Sequence, residues 1–227
     1  MNTHKTTSRP PLTFATLAFS AAGLISPQLT AATIINLVNP SFENASGYNE
    51  GTTPSAQLLG WSTSQESYGS TFNAVANFTS GLSGNNVTRA NGRFFQTSSV
   101  TYVAGETYTV TVDVGRSSDL PAVPNDSGFT VGFKKDSGND FRSGGGLFVS
   151  GTTINTIADK TFQTFTATFV ATILDAGLPV IVGLDDYYQG TTYVVDNFTL
   201  TTTAIPEPSI GLMGAAALGL MVRRRRC

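Results

Sequence analysis

Polar and apolar residues alternate along much of the middle of the chain. The clearest run sets Tyr108, Val110, Val112 and Val114 between Thr107, Thr109, Thr111 and Asp113. A period of two puts the apolar set on one face of a strand and the polar set on the other. A sheet with one buried and one wet side needs that pattern. Phe165, Ala167 and Phe169 alternate with Thr164, Thr166 and Thr168 in the same way. Val180, Val182 and Leu184 predict another strand, 194–200 a last one, 33–38 a first one, and 129–133 and 147–149 two shorter ones. Gly, Asn, Asp and Pro clusters separate them as turn signals. Segments 121–128 and 137–146 read as polar loops, with Gly144, Gly145 and Gly146 as a flexible turn. The middle of the chain has no long 3.6-residue apolar period and no fixed repeat, which argues against a solenoid or propeller. The expected fold class is all-β, an antiparallel β-sandwich.

The two ends break this pattern. Residues 1–11 carry His4, Lys5 and Arg9 and no acid, 12–25 run uncharged and apolar, and small residues lead to Thr30, Ala31 and Ala32. That order is a secretory signal peptide, with the cut expected after Ala32. At the other end Pro206, Glu207 and Pro208 precede an uncharged run to Val222, then Arg223, Arg224, Arg225 and Arg226. At about 1.5 Å per helical residue the run reaches about 22 Å, short of a bilayer core of about 30 Å, which snorkelling arginines can help it span. The arginines place their end in the cytoplasm and the β-domain outside. The expected domains are therefore a signal peptide 1–32, a β-domain 33–204 and a tail 205–227 with a short transmembrane helix at 209–222.

Charge and composition narrow the chemistry. Between Thr33 and Ala204 there are seven Lys or Arg and fourteen Asp or Glu, a balance of −7. An acidic core argues against nucleic acid as a partner, since cationic neutralisation of phosphates supplies most of that affinity. The single His is His4 and the single Cys is Cys227, both outside the core. A Ser-His-Asp triad, a Cys-His pair, a His/Cys zinc site and an internal disulfide are thereby excluded.

The order Pro206-Glu207-Pro208, apolar run and arginine cluster resembles the PEP-CTERM sorting signal of Gram-negative bacteria. The resemblance implies a signal peptidase and an exosortase-like processing enzyme as partners. It also implies transient anchoring in the inner membrane, release to the cell surface or matrix, and an association with biofilm exopolysaccharide. A plain membrane anchor keeps the location and loses only the processing. In the core, Asn39-Pro40-Ser41-Phe42-Glu43, Gly60-Trp61, the run from Gly105 to Val110 and Val195-Asp196-Asn197-Phe198 resemble jelly-roll carbohydrate-binding modules of the galactose-binding-like group. That resemblance implies two antiparallel sheets and a structural calcium ion.

Asp196 has the parity of Val194, Phe198 and Leu200, so a regular strand would turn it inward. A buried carboxylate is costly unless paired or metal-bound, and calcium takes carboxylate and carbonyl oxygens. Carried over from the resemblance, the ligands are Glu43 and Asp196; the alternative is a bulge in which Asp196 accepts backbone N–H groups. Asp185, Asp186, Tyr187 and Tyr188 form a polar, aromatic stretch suited to sugar hydroxyls and rings, or a solvated turn. Lone Trp61 reads as core. Asp185 and Asp186 would face opposite ways on a strand, which does not suit the paired carboxylates of a glycosidase. The expected function is a non-catalytic, exported surface protein binding extracellular polysaccharide, and not an enzyme. The alternatives are a purely structural surface protein and a secreted hydrolase.

Overall fold

The computed structural model describes residues 31–43, 60–63, 71–73, 78, 81–89, 93–116, 122–136, 140–186 and 193–204. They form eleven strands and one short helix: β1 (Thr33–Ile35), β2 (Ser62–Thr63), β3 (Thr71–Asn73), β4 (Asn86–Arg89), β5 (Arg93–Thr101), β6 (Thr107–Arg116), β7 (Gly128–Lys134), β8 (Phe141–Ser150), α1 (Gly151–Asn155), β9 (Thr161–Val170), β10 (Pro179–Asp186) and β11 (Val194–Thr203). The fold is all-β and antiparallel, with almost no helix. One sheet runs β3-β4-β11-β6-β9, with β1 also on β11, and the second runs β2-β5-β10-β7-β8.

The period-two segments form the frame. Along β6, Tyr108, Val110, Val112 and Val114 are buried while the threonines between them are only partly so. Their partners on β9 are Phe169, Ala167 and Phe165, the buried set of that strand. Val180, Val182 and Leu184 of β10 join Phe129, Val131 and Phe133 of β7 in the same core. Aromatic rings close the gap between the sheets: Phe129 meets Phe165 edge-on with centroids 6.0 Å apart, and Phe133 lies 5.8 Å from Phe169. Trp61 is core, as expected, with its ring 4.8 Å from Phe198.

Three expectations need correction. The first strand ends at Ile35, not at residue 38, because Val38 turns to the side chain of Gln96: Val38 N donates to Gln96 Oε1 at 2.7 Å and Gln96 Nε2 donates to Val38 O and Gly60 O. That same Gln96 faces the core from β5, a nine-residue strand that period-two reading passes over because it is polar even where it faces inward. Finally, Gly144, Gly145 and Gly146 are no turn: β8 begins at Phe141 and carries all three. Gly146 pairs with Gly132 of β7, where a Cβ would stand 2.0 Å from the carbonyl oxygen of Gly145. Backbone cannot yield as a side-chain tip can. Gly132→Ala is expected to cost on the order of 3 kcal/mol, a steric penalty of the overpacking kind. Gly146→Ala, which meets mainly a threonine methyl and a ring edge, should cost well under half of that. Urea midpoints of the two variants measure both.

Candidate functional site

The outer face of the β2-β5-β10-β7-β8 sheet, away from the core, has an unusual row. Register places Ser62, Phe95, Gly183, Gly132 and Gly146 side by side across all five strands. Three successive glycines make a shallow trough, about 14 Å long at the usual strand spacing, whose floor bears no side chains of its own, with Thr130 and Phe141 bordering it at Gly146. One bank is the row Arg93, Asp185, Thr130 and Phe148. The other bank holds Ile181 opposite Thr97, and Lys134 opposite Phe141. This is no wet sheet face: Lys134 is 0 % exposed, Asp185 2 % and Ile181 7 %.

Arg93 Nε donates to Asp185 Oδ1 at 2.7 Å, joining a half-exposed guanidinium to a buried carboxylate. Lys134 Nζ has no hydrogen-bond partner and sits 4.7 Å above the ring of Phe141. Burial pushes its pKa down, Asp185 pulls it partly back up, and Arg93 presses it down again. An enclosed ammonium, a carboxylate and aromatic edges beside a bare floor can bind a flat apolar molecule, move a proton and stabilise developing positive charge.

The pair Glu43 and Asp196 lies elsewhere. Between Asp196 and Thr199 the β6–β11 ladder shifts by one residue, with Asn197 at φ 51°. This bulge reverses parity. Val195, Phe198 and Leu200 belong to the main core, whereas Val194 packs with Phe78 and Val87 in a separate outer cluster. Asp196, two residues along from Val194 and ahead of the bulge, therefore turns to that outer side rather than into the core, which corrects the parity argument. There it is 0 % exposed, and it accepts the N–H of Ser83 at 2.9 Å and of Asn197 at 2.7 Å. Glu43 Oε1 accepts the N–H groups of Asn85 and Asn86, so one turn, 83–86, holds both acids. Asp113, opposite Asp196 in the ladder, accepts from Thr164 and Asn197 side chains. Burial raises Asp196 to about 7; the N–H donors oppose this, and the charges of Glu43 and Asp113 add to it. Among the described residues no group of three or more His, Cys, Asp or Glu is placed to hold a metal ion.

Asp185 and Asp186 close β10 rather than sitting in a loop, and Asp185 stands in the row beside the glycines. Tyr187, Tyr188, Pro206, Glu207, Pro208 and Arg223 to Arg226 lie outside the described residues, as do the signal peptide and the tail helix. Among the described residues no helix is long and apolar enough to cross a membrane. Sequence reasoning missed Lys134, Arg93 and the glycine row. The visible signal for the first was a lysine closing an apolar run, Phe133-Lys134.

The HpiC1-like model, described as HpiC1 cyclase, matches residues 33–201. Among solved structures, the Stig cyclase FisC of Fischerella sp. TAU in complex with (3Z)-3-(1-methyl-2-pyrrolidinylidene)-3H-indole is 21 % identical, with a TM-score of 0.58, covering 78 % of this chain and 100 % of that one. A cyclase of the same organism in complex with 4-(1H-indol-3-yl)butan-2-one is 21 % identical, with a TM-score of 0.53, covering 77 % and 100 %. At this identity the likeness shows the fold. The xylan-binding CBM22-1 domain of Paenibacillus barcinonensis Xyn10C reaches a TM-score of only 0.43 at 14 % identity. No curated protein sequence matches.

These findings correct four expectations. The family found is one of cyclases and not of PEP-CTERM sorting-signal proteins. A non-catalytic, exosortase-sorted surface protein binding polysaccharide, and the biofilm role attached to it, is overturned by the same match, and so is the expectation of no enzyme. The error has a physical source. Lacking His and Cys excludes triads and thiol chemistry, but proton-driven ring closure needs neither.

Asp196 sets a pH dependence with a definite sign. Its folded-state pKa of about 7 stands above the usual 3.8, so the stability it contributes is complete below about pH 3.8 and is lost as pH rises through about 7. In chelator, Asp196→Asn should melt on the order of 5 °C above the parent at pH 8 and level with it at pH 4, as read by calorimetry.

Proposed function

This chain belongs to the HpiC1-like cyclase family, and from that premise we propose that it closes a ring in a small, flat, π-rich substrate lying in the glycine trough. The observation that carries the reading is the row Gly183, Gly132 and Gly146 beside buried Asp185 and Lys134. We read the two-sheet arrangement as a jelly-roll sandwich with the trough on its outer face.

The chemistry is an isomerisation. The ammonium of Lys134, made more acidic by its burial, delivers a proton to one end of the substrate's π-system. The electron pair of a second double bond then forms the new ring bond, leaving a cation. Asp185 faces that cation, oriented by Arg93, and its carboxylate takes the proton lost from carbon. Proton return to Lys134 completes the cycle, and atoms and electrons balance without a co-reactant. Phe95, Phe141 and Phe148 supply ring faces and edges along the trough. The indole compounds held in the two Fischerella cyclase structures make an indole the first probe.

The test is binding of 4-(1H-indol-3-yl)butan-2-one by calorimetry, followed by incubation with indole-bearing dienes in heavy water. Product of unchanged composition carrying one deuterium, abolished by Asp185→Asn and cut at least 100-fold by Lys134→Met, supports the reading. Lys134→Met should also melt no lower than the parent, because it removes an enclosed charge that has no hydrogen-bond partner. Indole binding unaltered by Gly183→Val would sink the assignment of the trough.

We also propose calcium at Glu43 and Asp196. Two carboxylates share one turn, and one of them is fully buried, where a hard cation would relieve their repulsion and draw further oxygens from backbone carbonyls. Millimolar calcium should raise the melting temperature at pH 8 and leave Glu43→Gln unchanged. As for location, the residue order in 1–32 supports export, and the uncharged run ending in arginines supports a membrane-held tail with the β-domain outside.

A further inference from the structure

The end of the domain formed by the β5–β6 turn and the β9–β10 connection carries a concentration of exposed apolar side chains. Of the eight large hydrophobic residues exposed among the described ones, Val103, Val170, Ile173, Leu174 and Leu178 are at this end, with Ile173 at 80 % and Leu174 at 85 %. The connection that presents them is firmly built. Gly105 N donates to Ala171 O, Ala171 N to Glu106 O, Gly177 N to Tyr102 O and Tyr102 N to Leu178 O, zipping the two segments together. Asp175 accepts from Thr172 N at 2.8 Å and Thr172 Oγ1 at 2.6 Å, and pairs with the buried guanidinium of Arg142. Arg142 in turn lies 4.6 Å over the ring of Tyr102. A buried ion pair and a closed hydrogen-bonded turn thus hold two aliphatic tips in water, where they contribute nothing to folding.

The chain's own course says what faces this end. Thr203 pairs with Thr107, and Thr107 with Val170, so β11 finishes in the row that bears an exposed valine. Thr33 pairs with Thr202 and begins at the same end. From Ala204 to Pro208 is four residues, at most about 14 Å of extended chain. The uncharged run to Val222 and the four arginines follow directly.

We propose that this end is a membrane-docking surface: with the tail held in a bilayer, Ile173 and Leu174 insert into the lipid interface and Val103, Val170 and Leu178 rest against it. The short tether leaves no room for the domain to stand clear of the surface, and the end nearest the bilayer is the apolar one. Attraction is apolar rather than ionic, because Glu106, Asp136, Asp140 and Asp175 outnumber Lys135 and Arg142 at this end. Docking would place the domain upright on the outer leaflet, its strands running away from the bilayer. The proposal rests on the tail being membrane-held and not on the cyclase reading.

The experiment uses the full chain in phosphatidylcholine vesicles, with single cysteines in a Cys227→Ser background carrying an environment-sensitive fluorophore. Leu174→Cys reports the tip, Asp126→Cys the opposite end and Ala216→Cys the tail. The expected result is quenching by spin-labelled lipid at 174 and 216, at least five-fold stronger than at 126 and insensitive to half-molar salt. Quenching at 216 without quenching at 174 overturns docking while leaving the anchor; quenching at neither site overturns both. A blue shift at 174 before vesicles are added means that the crown is covered by the tail in a monomer or by a second copy in a dimer, and also overturns the proposal.

Discussion

The contact between two layers of aromatic rings holds this domain together. No cysteine lies between residues 33 and 204, so nothing covalent joins the sheets. Phe165 and Phe169 on β9 meet Phe129 and Phe133 on β7, and Tyr108 of β6 reaches Phe133 from the side at 6.4 Å. Sideways across the sheet, Phe42, Trp61 and Phe198 form a second group, with Phe42 and Phe198 edge to face at 6.2 Å. Rings of this size bury the most area per residue and add about 0.5–1.5 kcal/mol per favourable pair. The inner faces are thereby committed to packing, which leaves the outer faces to carry polar chemistry.

The outer faces have been used differently. On the β4-β11-β6 side the bulge after Asp196 turns a carboxylate outward under the 83–86 turn, where main-chain N–H groups meet it. Two main-chain N–H groups, one from the neighbouring Asn197 and one from Ser83 far along the chain, hold Asp196 there. On the other sheet the charges are spread across strands, separated by a floor of glycines, and Lys134 is left without a hydrogen bond. A buried ammonium without a hydrogen bond is a standing cost to the fold. Methionine or leucine at the same place would carry no such cost, so Lys134 is not explained by stability alone.

What could be read from the chain follows from what a period of two encodes. β6, β7, β9, β10 and β11 all appear in the pattern because each has an apolar inner face and a contrasting or short outer one. β5 does not, because Gln96 occupies an inner position and is satisfied there by Val38 and Gly60, partners 58 and 36 residues away. The glycines of β8 looked like a turn because glycine is usually punctuation; here they are a surface, and only register against Gly132 and Gly183 reveals it. Parity failed at Asp196 for a related reason. One extra residue reverses every face after it, and Asn197 at positive φ carries no mark that distinguishes it from any other Asn in a strand.

Function is hidden from the sequence for a different reason. Absent imidazole and thiol exclude triads, Cys-His pairs and His/Cys zinc sites, and adjacent Asp185 and Asp186 do not suit a glycosidase, but neither point bears on chemistry that needs no such group. A ring closure driven by protonation asks for an acid, a countercharge to the cation, and walls that keep water out. Lysine, aspartate and phenylalanine are sufficient, provided the acid is kept from its solution pKa by burial. That condition cannot be read from residue types at all. Lys134 and Lys135 are adjacent and chemically identical, yet one is sealed beneath a face and the other is exposed. The difference on which the proposed chemistry depends is one of placement: Lys134 is the last residue of β7, and Lys135 follows just beyond the strand.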